Sequence, residues 1–178
     1  MKKHMLSIML LLSAGWVCAN QPDSVYVKGY TTAKNNYKDG LHLAYSIDGK
    51  HWQPVADEFS FLKSDYGRWG AEKRMINPQL LRAQNGTWHC LFDVNERDGV
   101  VGVASSEDLI LWTPQDYYVS NSGEVEKYLL SQGLDKKSNA VCKVPYQVVQ
   151  RLVDHSMVTA YKNEKNAETA ESFAARYA

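Results

Sequence analysis

The sequence predicts a mainly β chain: two blade-like antiparallel four-stranded units of a partial β-propeller, followed by two C-terminal α-helices. Three observations predict it. The pattern A-x-S-x-D-x-x-x-W-x-P occurs twice, from Ala44 to Pro54 and from Ala104 to Pro114, with every shared residue displaced by 60 positions. Each copy follows an Asp-Gly step, Asp39-Gly40 or Asp98-Gly99, and an alternating aromatic strand, Tyr26, Lys28, Tyr30 in one and Trp88, Cys90, Phe92 in the other. From Pro145 onward the period changes, with Val148, Val149, Leu152, Val153 and Met157 recurring at helical spacing. Self-similarity at this length marks units that cannot bury their own faces alone, and four short strands per unit suit a propeller blade.

The N-terminus reads as an address. Lys2 and Lys3 precede the apolar run Met5 to Ala14, and small residues around Val17-Cys18-Ala19 suit a signal peptidase. Residues 1–19 are therefore expected to be a cleaved secretory signal, placing the protein in the periplasm or outside the cell. Val17 before Cys18 makes a poor lipoprotein signal, and the apolar run is shorter than the roughly 20 residues that span a bilayer.

Residues 23–119 form the propeller-like two-repeat region. In the second copy, Gln79 to Arg82, Thr87 to Val94, Val100 to Ser105 and Ile110 to Thr113 read as four strands, with Asn85-Gly86 as the hairpin turn. The repeated Ser and Asp are expected to bond turn N–H groups, and the repeated Trp to seal adjacent blades. Carrying the 60-residue displacement back from Asn77-Pro78 lands inside the signal. The first blade therefore lacks its innermost strand, unless a later segment supplies it. Residues 120–144 read as a linker with a short helix at Glu124 to Leu130, and residues 145–178 as the helical tail, broken at Lys162 to Asn166. Two amphipathic helices need a surface, either the blades or a further domain; open blades with bare edges also predict self-association.

Charge and composition exclude several functions. Twenty Lys+Arg balance twenty Asp+Glu, for a net charge of zero, and nucleic-acid binding needs a concentrated basic surface. Three cysteines are too few for a disulfide scaffold. Cys90 and Cys142 can pair in an oxidising compartment, or Cys90 can remain a thiol on its strand. No Walker loop, G-x-G-x-x-G or Ser-His-Asp elbow is present. His42, His51 and His89 lack metal-ligand spacing and read as surface or interblade residues, so no cofactor or metal is implied.

Gly40 to Trp52, Arg74 to Arg82, Asn85 to His89 and Ala104 to Trp112 together resemble the five-bladed propeller glycosidases of glycoside hydrolase family 43 and its relatives. More distantly, the combination with a helical tail is similar to the N-terminal module of secreted arabinofuranosidases that continue into a family 51 type catalytic domain. The resemblance implies a carbohydrate-active protein directed at arabinofuranosyl or xylosyl polysaccharide. It covers roughly Tyr26 to Tyr118, less than half of such an enzyme, so the chain is expected to be a truncated or N-terminal module, inactive on its own. The other readings are a non-catalytic glycan-binding or scaffolding module, and a small self-sufficient α+β domain with a structural role.

The departures from that pattern are specific. The family's general base belongs to the missing strand, and Asn77 stands where its second aspartate would be; an amide carries no charge to tune a neighbour. At the channel mouth, Glu72 and Glu96 are the candidate carboxylates for inverting hydrolysis, which needs two such groups about 6.5–9.5 Å apart. Tyr66, Arg68, Trp69, Arg74 and Asn77 are the candidate sugar contacts. The competing reading pairs Glu72 with Lys73 or Arg74, and Glu96 with Arg97, in solvated turns.

Overall fold

The computed structural model describes residues 21–57, 59–67, 73–95, 99–134 and 141–177, with side chains as far as 167. Residues 1–19, where a secretory leader is expected, lie outside the described residues. Two antiparallel four-stranded sheets form the fold, as the repeats predict, together with two α-helices. The strands are β1 (Ser24–Tyr30), β2 (His42–Ser46), β3 (Gln53–Pro54), β4 (Ile76–Arg82), β5 (Trp88–Asp93), β6 (Val100–Ser106), β7 (Asp116–Val119) and β8 (Cys142–Pro145). The helices are α1 (Glu124–Ser131) and α2 (Tyr146–Tyr177).

The second blade has strand order β4-β5-β6-β7, and the first has β3-β2-β1-β8. The innermost strand missing from the first repeat is thus supplied from the chain's far end. β8 pairs with β1 from Ser24↔Pro145 to Val27↔Cys142 and stands where β4 stands beside β5. The equivalence extends to side chains. Lys143, opposite Tyr26, has its ammonium 5.8 Å from that ring, and Arg82, opposite Trp88, has its guanidinium 5.1 Å from the indole. The segment read as a linker thereby contributes both α1 and a strand of the first blade.

The turn prediction holds bond by bond. Ser46 Oγ donates to Asp48 and accepts the Gly49 N–H, while Asp48 Oδ1 accepts the N–H groups of Lys50 and His51 at 2.8 Å each. Ser106 and Asp108 make the same set with Leu109, Ile110 and Leu111. These bonds move the fourth strand. The N–H groups of Ile110 and Leu111 are committed to Asp108 and cannot enter a ladder, so pairing with β6 resumes only at Thr113, whose N–H donates to the Ser105 carbonyl, and β7 runs from Asp116 instead of Ile110. Trp112 packs against the main core, whereas Trp52 lies under the Lys28 ammonium at 4.1 Å.

One core joins the blades. Val25, Val27, Leu41 and Leu43 of the first meet Leu80, Trp88, Cys90 and Phe92 of the second, with Val149 and Leu152 of α2 in the same cluster. Because side chains alternate across a strand, Leu91 and Val103 face the other way and pack with Leu129 of α1. His89 shares that face. It is 1% exposed, and its Nδ1 lies 2.7 Å from Tyr128 Oη, so it is buried under α1 and is not a surface residue.

The tail is one helix instead of two. Lys, Glu and Asn at 162–166 are polar but include neither Gly nor Pro, and polarity alone does not break a helix. Met157 and Tyr161 on α2 are exposed. Among the described residues no disulfide forms; the Cys90 thiol is fully buried, and burial pushes its pKa up to about 12. No helix among the described residues is long and apolar enough to cross a membrane.

Candidate functional site

Of the residues singled out from the sequence, Glu72, Glu96, Arg68 and Trp69 lie outside the described residues. Asn77 sits at the entry to β4 in a register shift between Ile76 and Gln79, with φ at +48°. An Asn tolerates this left-handed conformation better than most residues, and the following Pro78 disfavours the right-handed alternative. Its side-chain amide donates to Asp93 Oδ2 at 3.3 Å. Asp93, at the end of β5, is a carboxylate that no sequence motif marks.

Tyr66 points to the opposite edge of the second blade. Its ring lies 5.0 Å from that of Tyr117 on β7, two strands removed from the β4–β5 pair that carries Asn77 and Asp93. The Tyr117 hydroxyl donates to the Asp65 carboxylate, and Gln115 clamps the same loop, donating from Nε2 to the Lys63 carbonyl at 2.7 Å. Burial first, then the bond to Asp65, holds the Tyr117 phenol above its ordinary pKa. The anchoring explains why Tyr66 is half-buried, and it leaves Tyr66 and Asn77 apart. Arg74 is also half-buried, its Nε without a hydrogen-bond partner among the described residues. The next residue ties this segment to the first blade, Met75 N–H donating to the Tyr37 carbonyl at 2.9 Å.

A concave site lies on the first blade. Tyr30, Thr32, Lys34, Asp39, His42 and Asp57 line a cleft of about 540 Å³. Of the surface and interblade readings of His42, the surface one fails: it is 3% exposed, and its Nδ1–H donates to the Phe59 carbonyl at 2.9 Å. The Tyr30 ring lies 5.4 Å from the His42 ring. Burial and the negative charge of Asp57 raise the Tyr30 phenol pKa.

The loop that builds this cleft is strained. Asn35, Asn36 and Tyr37 have φ of 48°, 54° and 62° in succession, each such residue costing about 1–3 kcal/mol unless its surroundings compensate. The bond from Asn35 Nδ2 to Asp39 Oδ1 at 3.1 Å helps hold the loop closed. Gly40, at φ +84°, ends it, and a Cβ there would collide with the Leu62 carbonyl. The sequence carried one signal of this site: the Asn35-Asn36 pair and Asp39-Gly40 are residues that admit left-handed backbone.

The carboxylates of the repeated turns serve the backbone. Hydrogen bonds from His51 and Lys50 hold Asp48 well below the ordinary carboxylate range. For Asp108, partial burial pushes upward, but the Leu111 and Ile110 N–H groups outweigh it and the pKa is lowered. Neither carboxyl is the raised acid that glycoside hydrolysis requires.

No family model matches the sequence, and no curated protein matches it. Solved structures that the chain partly matches include a glycosyl hydrolase from Bacteroides ovatus, at 17% identity and a TM-score of 0.37 over 52% of this chain and 28% of that one. Another is a protein from Parabacteroides distasonis ATCC 8503 assigned as a glycoside hydrolase, at 20% identity and a TM-score of 0.34 over 51% of this chain and 32% of that one. The chain thus spans about a third or less of each of these two structures, and the likeness is a partial one of fold.

Proposed function

We propose that this chain is a secreted, non-catalytic glycan-binding module made of two propeller blades, directed at arabinofuranosyl- or xylosyl-containing oligosaccharides. The observation that carries the reading is the Asn77–Asp93 bond. Where the family that the sequence resembles places a second charged aspartate, this chain has a neutral amide already engaged by a carboxylate. Such a pair can hold sugar hydroxyls, since the amide both donates and accepts, but it does not set up the acid and base of inverting hydrolysis. The substrate class rests on the resemblance of the Arg74 to Arg82 and Ala104 to Trp112 segments.

Calorimetric titration of the exported chain with arabino- and xylo-oligosaccharides tests the reading, with product chromatography run alongside. Binding with an upward shift of the melt, and no sugar released, is the expected result, because a ligand stabilises only the state that binds it. Hydrolysis that disappears in Glu72→Gln or Glu96→Gln would make the chain an enzyme instead. Failure to bind any of these sugars would end the glycan reading. Export predicts a mature mass lacking residues 1–19.

A further inference from the structure

Two residues that line the first-blade cleft, Thr32 and His42, carry buried polar atoms without partners among the described residues. His42 Nε2 and Thr32 Oγ1 are both shielded from solvent, and neither has a hydrogen-bond partner among the described residues. An unsatisfied buried polar group is costly and uncommon in a native fold. Both atoms belong to residues that line one cleft, where a bound water, or a ligand whose entry displaces the covering atoms, completes the structure.

The chemistry of the vacant partner follows from the ring. Because Nδ1–H donates to the Phe59 carbonyl, the neutral imidazole presents Nε2 as an acceptor, so it takes an O–H or N–H donor. Thr32 Oγ1 can either donate or accept. Asp39 and Asp57 add acceptors and disfavour an anion, and no three His, Cys, Asp or Glu among the described residues converge as a metal cluster. Tyr30, beside His42, offers an aromatic plane. Donors to an imidazole nitrogen, hydroxyls for carboxylates and an apolar face for an aromatic ring are the groups of a neutral saccharide.

We propose that this cleft, between the β1–β2 loop and the segment after β3, is the sugar-binding site of the chain, with one saccharide hydroxyl donating to His42 Nε2 and its neighbours bonding Thr32 Oγ1 and Asp57. The assignment rests on the glycan-binding reading above and moves its centre from the 65–77 loop to the flank of the first blade. The strained run Asn35 to Tyr37 is then the backbone that shapes the site, held at its end by the Met75 bond to Tyr37.

The test is a titration of the isotope-labelled wild-type chain with arabino- and xylo-oligosaccharides, repeated on the double variant Thr32→Val, Asp57→Asn. Amide shifts should concentrate in residues 30–42 and 54–59 of the wild type. Losing two ligand bonds should weaken binding at least about tenfold with the melting temperature kept. A wild type that binds sugar beside a variant within about twofold of it would overturn the site and leave the glycan reading standing, the sign of a cleft filled by water. Should the double variant unfold, the wild-type shifts decide, and a centre at residues 65–77 overturns the site. A wild type that binds no sugar overturns both.

Discussion

Gly49 and Leu109 occupy the same position in two equivalent turns, with φ of +74° and +67°. The Ser and Asp bonds around them are the same, so the turn imposes the left-handed backbone whatever residue is present. At Gly49 the conformation is free of strain. At Leu109 a branched side chain accepts it because it is fully buried in the main core.

Substitution at Leu109 should therefore reverse a familiar order. Leu109→Ala loses about 2–5 kcal/mol of packing and keeps the strain, whereas Leu109→Gly loses the same packing and recovers about 1–2 kcal/mol of left-handed cost. Denaturant titration should find the Gly variant at least as stable as the Ala variant. A Gly variant clearly below Ala would mean that the turn does not hold this backbone.

β8 closes the first blade through a short ladder, and Val144 at its centre is 1% exposed in the core. Val144→Ala should cost about 2 kcal/mol, and exchange protection should fall along β1 before it falls along β5. Equal loss in both strands would show that the two blades unfold as one unit.

His89 makes stability fall with acid. Burial lowers its pKa below the ordinary value near 6.5, so the unfolded chain takes up a proton more readily than the folded one. The stability of the neutral ring is present above about pH 6.5 and is lost as pH drops through the folded value. His51 has the opposite sign, since its bond to Asp48 raises its pKa; its stabilisation is present below about pH 6.5 and fades as pH rises through the folded value. That side chain is 87% exposed, and solvent screens the contribution. Melting temperatures should decline from about pH 7 to pH 5, and His89→Gln should flatten the decline while His51→Ala does not. A decline that survives His89→Gln would assign it elsewhere.

Asn77→Asp would place a second carboxyl against Asp93, 3.3 Å from the present amide nitrogen. Two like charges that close cannot both ionise freely, so one proton of the pair should bind above the ordinary carboxylate range. Carbon-detected NMR of the variant reads it directly. Ordinary titration of both carboxyls would mean that the Asn77–Asp93 bond is not held in solution.

The repeat was legible because its determinants are local. Ser46 and Asp48, like Ser106 and Asp108, bond N–H groups within three residues of themselves, so a motif read along the chain states the turn geometry directly. The Asn85-Gly86 hairpin and the alternation of Trp88, Cys90 and Phe92 were legible for the same reason. Less was legible of the candidate site. Tyr66 and Asn77 are near in sequence, yet Tyr117 and Asp93 draw them to different edges of a sheet.

What the sequence by itself determined is therefore two blades, their turns and the face each strand presents. Tertiary structure alone decided that β8 completes the first blade, that α1 buries His89, and that His42, beside a cleft, carries a nitrogen with no partner among the described residues. The reason is range. Local turn bonds depend on neighbours a few residues away, whereas the burial of His89 depends on Tyr128, 39 residues on, and the β1–β8 ladder joins segments more than a hundred residues apart, as Val27 and Cys142 are, and no short pattern encodes which distant segment pairs with which.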